Sequence, residues 1–332
     1  MSGLLLLAAA VLLLALALGP RPRRPRLDPA LPRLPEGAAQ AAAWLSAKEA
    51  GLPVRPDNQA RVLWAGDPGA VTEWCLVYLH GYSACWREGG PIHANTARRY
   101  GANLLLTRLS GHGLESEDPL LDLDADALWE DSKEALALAG ALGRKVLIMA
   151  TSSGAPLALR LAAVHPARVQ AMVFYSANIR IRQPGSRLMT WPWGLYVARV
   201  VKGGKYNAWK EGPEVSRYWY MRQRLEGAVQ LQALLDGTTK ARDLARVAQP
   251  VYSAVYYRDE GHRDPTIEVS AVRWMMDRIG TAPGLKRYQE FPGATNHVIA
   301  CDLMNAGWKD VQAGTWSFLE EVLGWKALRD DA

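Results

Sequence analysis

The stretch from Lys145 to Val164 constrains this chain most. Lys145–Ala150 reads as a β-strand that runs without a break into Thr151-Ser152-Ser153-Gly154, and Ala155–Val164 then takes up helical spacing until His165-Pro166 ends it. A chain that passes from strand to helix over so few residues bends too sharply for large side chains two positions before and after the apex. Ala150 and Gly154 meet that demand around Ser152, whereas centring the turn on Ser153 would put Thr151 and Ala155 there, a poorer fit. Such a bend lifts the Ser152 hydroxyl clear of the backbone, where a neighbouring base can activate it.

The alternation continues on both sides. Strands are expected at Arg61–Trp64, Trp74–Leu79, Asn103–Thr107, Val169–Tyr175, Val251–Tyr257 and Lys286–Phe291. Helices are expected at Asp124–Leu142, with Gly143 as its stop, and at Ile267–Ile279 and Ala306–Leu323. The pattern implies an α/β fold, a mainly parallel sheet covered on both faces, with its site at the carboxyl ends of the strands. Between Ser176 and Val251 it breaks for over seventy residues, too long for an ordinary loop. We expect a helical cap over 178–249, inserted between two parts of a core at 59–177 and 250–325. The cap holds Trp191, Trp193, Tyr196, Tyr206, Trp209, Tyr218, Trp219 and Tyr220, suited to packing it on the body, lining an apolar site or meeting lipid.

A serine needs a base and an orienting acid. His297, in Phe291-Pro-Gly-Ala-Thr-Asn-His297, follows a strand and precedes the last helix; His262 is the rival base. Asp259, Glu260 and Asp264 follow the strand at 251–257. Asp264, which leads into Pro265-Thr-Ile267 and the next helix, is preferred, with Asp259 as the alternative. His80, His112 and His165 fall at turns or a helix end and read as structural, and His93 as the start of a helix near the site.

Tyr78-Leu-His-Gly-Tyr-Ser83, Arg108-Leu-Ser-Gly-His-Gly113, Ala150-Thr-Ser-Ser-Gly154, Asp264 and Gly293-Ala-Thr-Asn-His297 together resemble the α/β-hydrolase superfamily over roughly residues 61–323. The resemblance is closest to its lipase and carboxylesterase-like branch with a helical cap. Ala150 departs from the commoner G-x-S-x-G by one methyl. The resemblance implies a triad in the order Ser152, Asp264, His297 and an oxyanion hole from the backbone amides of Tyr82 and Ser153. It also implies no cofactor and does not fix a substrate; the apolar N-terminal run and the basic, aromatic cap point to a small-molecule or lipid-like ester. Thioester hydrolysis, acyl transfer and a non-catalytic binding role on the same fold are the alternatives.

Charge and motifs narrow the rest. Residues 179–249 hold 13 Lys+Arg against 5 Asp+Glu, in a chain of net charge +6. That basic surface suits an anionic substrate or a membrane surface; no nucleic-acid motif accompanies it, so nucleic acid is not an expected partner. No H-x-x-x-H metal motif or glycine-rich nucleotide loop occurs, and Cys75, Cys85 and Cys301 are too scattered for a metal site. Leu4–Leu18 is an unbroken run of Leu, Ala and Val, followed by Arg21, Arg23, Arg24 and Arg26. It falls between a membrane-spanning helix of roughly 20 residues and a signal-peptide core of roughly 7–15. With the charge after it, the reading favoured is a single-pass anchor over residues 1–19, a cleaved signal peptide being the other. Residues 20–38, rich in Pro and Arg, read as a stiff linker within a lead-in over 20–58.

Overall fold

Period-two alternation inside the strands divides the core in two. In β2 (Thr72–Leu79), Leu76 and Tyr78 face one side and Val77 and Leu79 the other; in β4 (Gly143–Thr151), Leu147 and Met149 oppose Val146, Ile148 and Ala150. The computed structural model describes residues 2–328. Its main sheet has seven strands in the order β1-β3-β2-β4-β5-β8-β9. The others are β1 (Arg61–Leu63), β3 (Asn103–Leu106), β5 (Ala171–Tyr175), β8 (Val251–Val255) and β9 (Lys286–Glu290). Only β1 runs antiparallel to its neighbour, and the other pairings are parallel. Every residue of β5 and β8 is buried, as strands covered on both faces require.

Helices supply the two covers. Ala38–Ala50 (α2), Ala125–Leu142 (α4), Gly154–Val164 (α5) and Val269–Arg278 (α10) pack on one face, and Ile92–Tyr100 (α3) and Trp308–Glu321 (α11) on the other. Asp124 caps α4 by accepting from the amides of Asp126 (2.8 Å) and Ala127 (3.1 Å). Gly143 follows at once as the first residue of β4. A side chain there would lie 2.5 Å from the Cys75 amide nitrogen, so glycine is set by strand proximity.

Residues between β5 and β8 form a separate layer above the carboxyl ends of the strands. In chain order they are a 3₁₀ turn (Ser186–Thr190), α6 (Gly194–Lys202), β6 (Tyr206–Ala208), α7 (Pro213–Ser216), β7 (Arg222–Arg224), α8 (Leu225–Thr238) and α9 (Ala241–Leu244). β6 and β7 pair antiparallel. The layer is tied down: the Tyr220 amide donates to Ser83 O at 2.9 Å, the Arg224 amide to Pro119 O at 2.9 Å, and Arg55 to Trp219 O and Ser216 O. Its aromatics divide accordingly. Trp219 and Tyr220 are buried, whereas Trp191, Trp193 and Tyr196 are exposed beside Val200 and Val201 on and around α6.

At the N-terminus the structure departs from the expected membrane anchor. The apolar run forms α1 (Ser2–Ala17), and no helix among the described residues is long and apolar enough to cross a membrane. At 16 residues it reaches about 24 Å, short of the roughly 30 Å hydrocarbon core. Instead Trp193 of the inserted layer donates from Nε1 to Ala15 O (3.1 Å) and from its amide to Pro20 O (2.9 Å). The Pro- and Arg-rich segment that follows lies along α4. Leu27 is buried, its amide and Arg23 both bond Asp126, and Trp129 and Lys133 donate to the carbonyls of Asp28 and Ala30.

Candidate active site

The turn between β4 and α5 holds Ser152 at φ 52°. A left-handed φ at a residue with a Cβ costs on the order of 1 kcal/mol, and here backbone bonds enforce it. The Ser152 amide donates to Tyr175 O at 3.0 Å, and its carbonyl accepts from Ala155 (3.1 Å) and Asn178 (3.0 Å). Gly154 is required where it stands, since a Cβ would lie 2.2 Å from Leu79 O. Ala150 is fully buried, in register with Leu79 of β2 and Phe174 of β5.

His297 and Asp264 meet across two segments that follow β9 and β8. His297 Nδ1 lies 2.8 Å from Asp264 Oδ2 and 3.0 Å from Oδ1. Asp264 Oδ1 also accepts from the amides of Thr266 (2.8 Å) and Ile267 (3.1 Å). Burial pushes the Asp264 carboxyl up, but the charge and hydrogen bond of His297 and those two amides outweigh it and hold it below its ordinary value. Burial likewise pushes the imidazole down, yet Asp264, and then the carboxylate of Glu88, bring it above its ordinary value. With Nδ1–H committed to Asp264, the lone pair of the neutral ring sits on Nε2. Nε2 has no hydrogen-bond partner among the described residues. It and Ser152 line one cavity, and no Ser152–His297 hydrogen bond is formed in this structure. Resting sites often close that contact only around substrate.

The amides of Tyr82 and Ser153 find no acceptor among the described residues. Tyr82 directly follows Gly81, where a Cβ would lie 2.9 Å from Ser152 Cβ, and Ser153 directly follows Ser152. Asp259 lies in an exposed loop and pairs instead with His262 (Nδ1 to Oδ1 2.9 Å), whereas Asp264 is fully buried. His80 and His112 are buried and bonded to backbone groups, and burial pushes His112 down to about 4. His93 lies within α3, with Nε2 on Trp86 O at 2.9 Å. One site residue has no counterpart in the reading of the sequence. Glu88, on the 3₁₀ turn Trp86–Gly89, is buried and lines the cavity. Nothing local distinguishes it from an exposed loop glutamate, and only the fold turns it inward.

The cavity is about 1170 Å³. Its floor carries Ser152, His297, Tyr82 and Glu88, and its walls are largely Leu188, Met189, Val197, Trp209, Trp219 and Leu231 of the inserted layer.

A model of the alpha/beta hydrolase family matches residues 76–304. Solved structures share the fold at low identity. One, of the metagenome-derived lipolytic enzymes LipS and LipT, has a TM-score of 0.64 at 14% identity, covering 80% of this chain and 99% of that one. A monoacylglycerol lipase of Paleococcus ferrophilus gives 0.57 at 14%, covering 79% and 98%. A soluble variant of monoglyceride lipase from Saccharomyces cerevisiae, solved with a substrate analog, gives 0.59 at 10%, covering 79% and 91%. No curated protein matches the chain.

Proposed function

The chain belongs to the alpha/beta hydrolase family, and on that premise we propose that it hydrolyses a carboxylic ester, with an apolar acyl or alcohol group, through a covalent serine intermediate. The observation that carries the reading is the pairing of His297 Nδ1 with buried Asp264, which leaves Nε2 unpartnered in the cavity that Ser152 lines. In this reading Ser152 Oγ attacks the ester carbonyl while Nε2 takes its proton. The amides of Tyr82 and Ser153 stabilise the oxyanion. The imidazolium then protonates the departing alcohol, and the neutral ring activates the water that releases the acid and restores Ser152.

The substrate we propose is a lipid-like ester. The cavity exceeds the size of most small-ligand pockets and its walls are mainly aliphatic and aromatic. Exposed apolar side chains, among them Val197 and Val201, continue from those walls to the surface of α6, which suits entry of an amphiphile. The similar lipases act on esters of that class by name.

Fluorophosphonate labelling of wild type and Ser152→Ala, alongside turnover of p-nitrophenyl esters of increasing chain length, tests both parts. We expect labelling of wild type alone and a preference for medium or long acyl chains. Folded wild type that takes no label would overturn the serine mechanism and favour a binding role for the cavity. Labelling with a preference for acetate would keep the mechanism and remove the lipid-like substrate.

A further inference from the structure

Glu88 is 2% exposed, and no Lys or Arg among the described residues forms a salt bridge with it. A buried carboxyl without a counter-charge is costly, and its surroundings show what it does there. Oε2 accepts the Gly81 N–H at 2.5 Å and lies 3.5 Å from the Tyr78 hydroxyl, which itself donates to Thr151 at 2.8 Å. Oε1 makes no hydrogen bond among the described residues and lies 2.8 Å from the point a Gly81 Cβ would occupy, a point only 2.9 Å from Ser152 Cβ. Glu88 therefore grips the peptide just before the Tyr82 amide and stands beside the serine.

It also lines the same cavity as Ser152 and His297, close enough to the imidazole that each group favours the charged form of the other. The remaining titratable groups around it are uncharged near neutrality: Tyr78 from β2, Cys85 ahead of its own turn, and Cys301 beyond His297. Arg87, its chain neighbour, is turned away to Asp302 and Gly90 O. Burial pushes Glu88 up to about 7, with the Gly81 amide, His297 and Tyr78 opposing.

Resting on the serine mechanism above, we propose that Glu88 is a positioning residue. By accepting the Gly81 N–H it holds the loop that aims the Tyr82 amide at the oxyanion, and by its charge it acts with Asp264 to set when His297 is free to serve as base. Holding the loop requires only an acceptor, which glutamine retains. Tuning His297 requires a carboxylate, which glutamine lacks. A merely structural Glu88 would leave the pH profile alone, so the two duties separate.

The test is the pH dependence of kcat/KM for Glu88→Gln and Glu88→Ala against wild type, with Ser152→Ala as control and circular dichroism for folding. For Glu88→Gln we expect the acid limb to move to lower pH by up to about half a unit, since Glu88, pushed up to about 7, carries part of its negative charge across that limb and its loss makes the imidazole easier to deprotonate. For Glu88→Ala we expect kcat to fall by roughly 30-fold or more with KM within about 3-fold, because an oxyanion donor acts in the transition state. An unmoved acid limb in Glu88→Gln overturns the tuning role, and undiminished kcat in folded Glu88→Ala overturns the loop role. Should Glu88→Ala fail to fold, the glutamine profile decides. Turnover retained by Ser152→Ala would instead overturn the serine mechanism itself.

Discussion

At the scale of single residues, Asp264 and Asp259 lie close in sequence and far apart in environment. Asp264 is fully buried and bonds His297 and two amides, while Asp259 is exposed and bonds His262 in its own loop. If Asp264 orients the imidazole, Asp264→Asn should lower kcat by roughly 10⁴-fold, because an amide favours the wrong tautomer. Asp259→Asn should leave kcat/KM within about 2-fold, as surface changes generally do. Steady-state kinetics on the two variants checks this, and a reversed order would move the acid to Asp259. Asp264 was legible as a candidate because it stands between a strand and the Pro265–Ile267 helix approach. The choice over Asp259 depends on burial, which local sequence does not carry.

At the scale of elements, the strand–turn–helix around Ser152 was legible because sterics there are local. The motif demanded small residues at 150 and 154, and the structure puts backbone 2.2 Å from any Cβ at 154. The internal build of the inserted layer was not legible, since its short helices and hairpin take their form from the body beneath. Gly227 of α8 marks that dependence. A Cβ there would meet Leu120 Cβ at 2.7 Å and the Tyr82 hydroxyl at 2.9 Å. Gly227→Ala favours the helix by about 1 kcal/mol on propensity alone. Even so, it should push α8 off the Tyr82 loop and lower kcat/KM by roughly 3- to 10-fold. Kinetics beside a melting curve checks it, and an unchanged kcat/KM would mean that the layer rides freely over the loop.

At the scale of the whole molecule, the buried site makes stability depend on pH in opposing directions. Asp264 is held below its ordinary value, so its contribution is present above about 4 and is lost as pH falls through the folded value. His297 and Glu88 are held above theirs. The Glu88 contribution is full below its ordinary 4.5 and is lost as pH rises through about 7. Glu88→Gln removes that loss. Its Tm should therefore exceed that of wild type by roughly 2–5 °C at pH 8, with no such gain at pH 4. Calorimetry at the two pH values checks the sign, and a gain confined to pH 4 would contradict the burial argument.

Features that depend on near neighbours in the chain are legible in the order of amino acids. Strand and helix periodicity led to the parallel sheet, and the Ala150–Gly154 spacing to the bend at Ser152. The order of motifs led to the family. Composition alone misled at the N-terminus, where it made Leu4–Leu18 resemble a membrane span. The helix is 16 residues and lies against Trp193. Which acid meets His297, which aromatics are buried, and that Glu88 faces the site follow from the assembled fold. Each of those turns on residues distant in the chain arriving at one point, where burial and charge act through space.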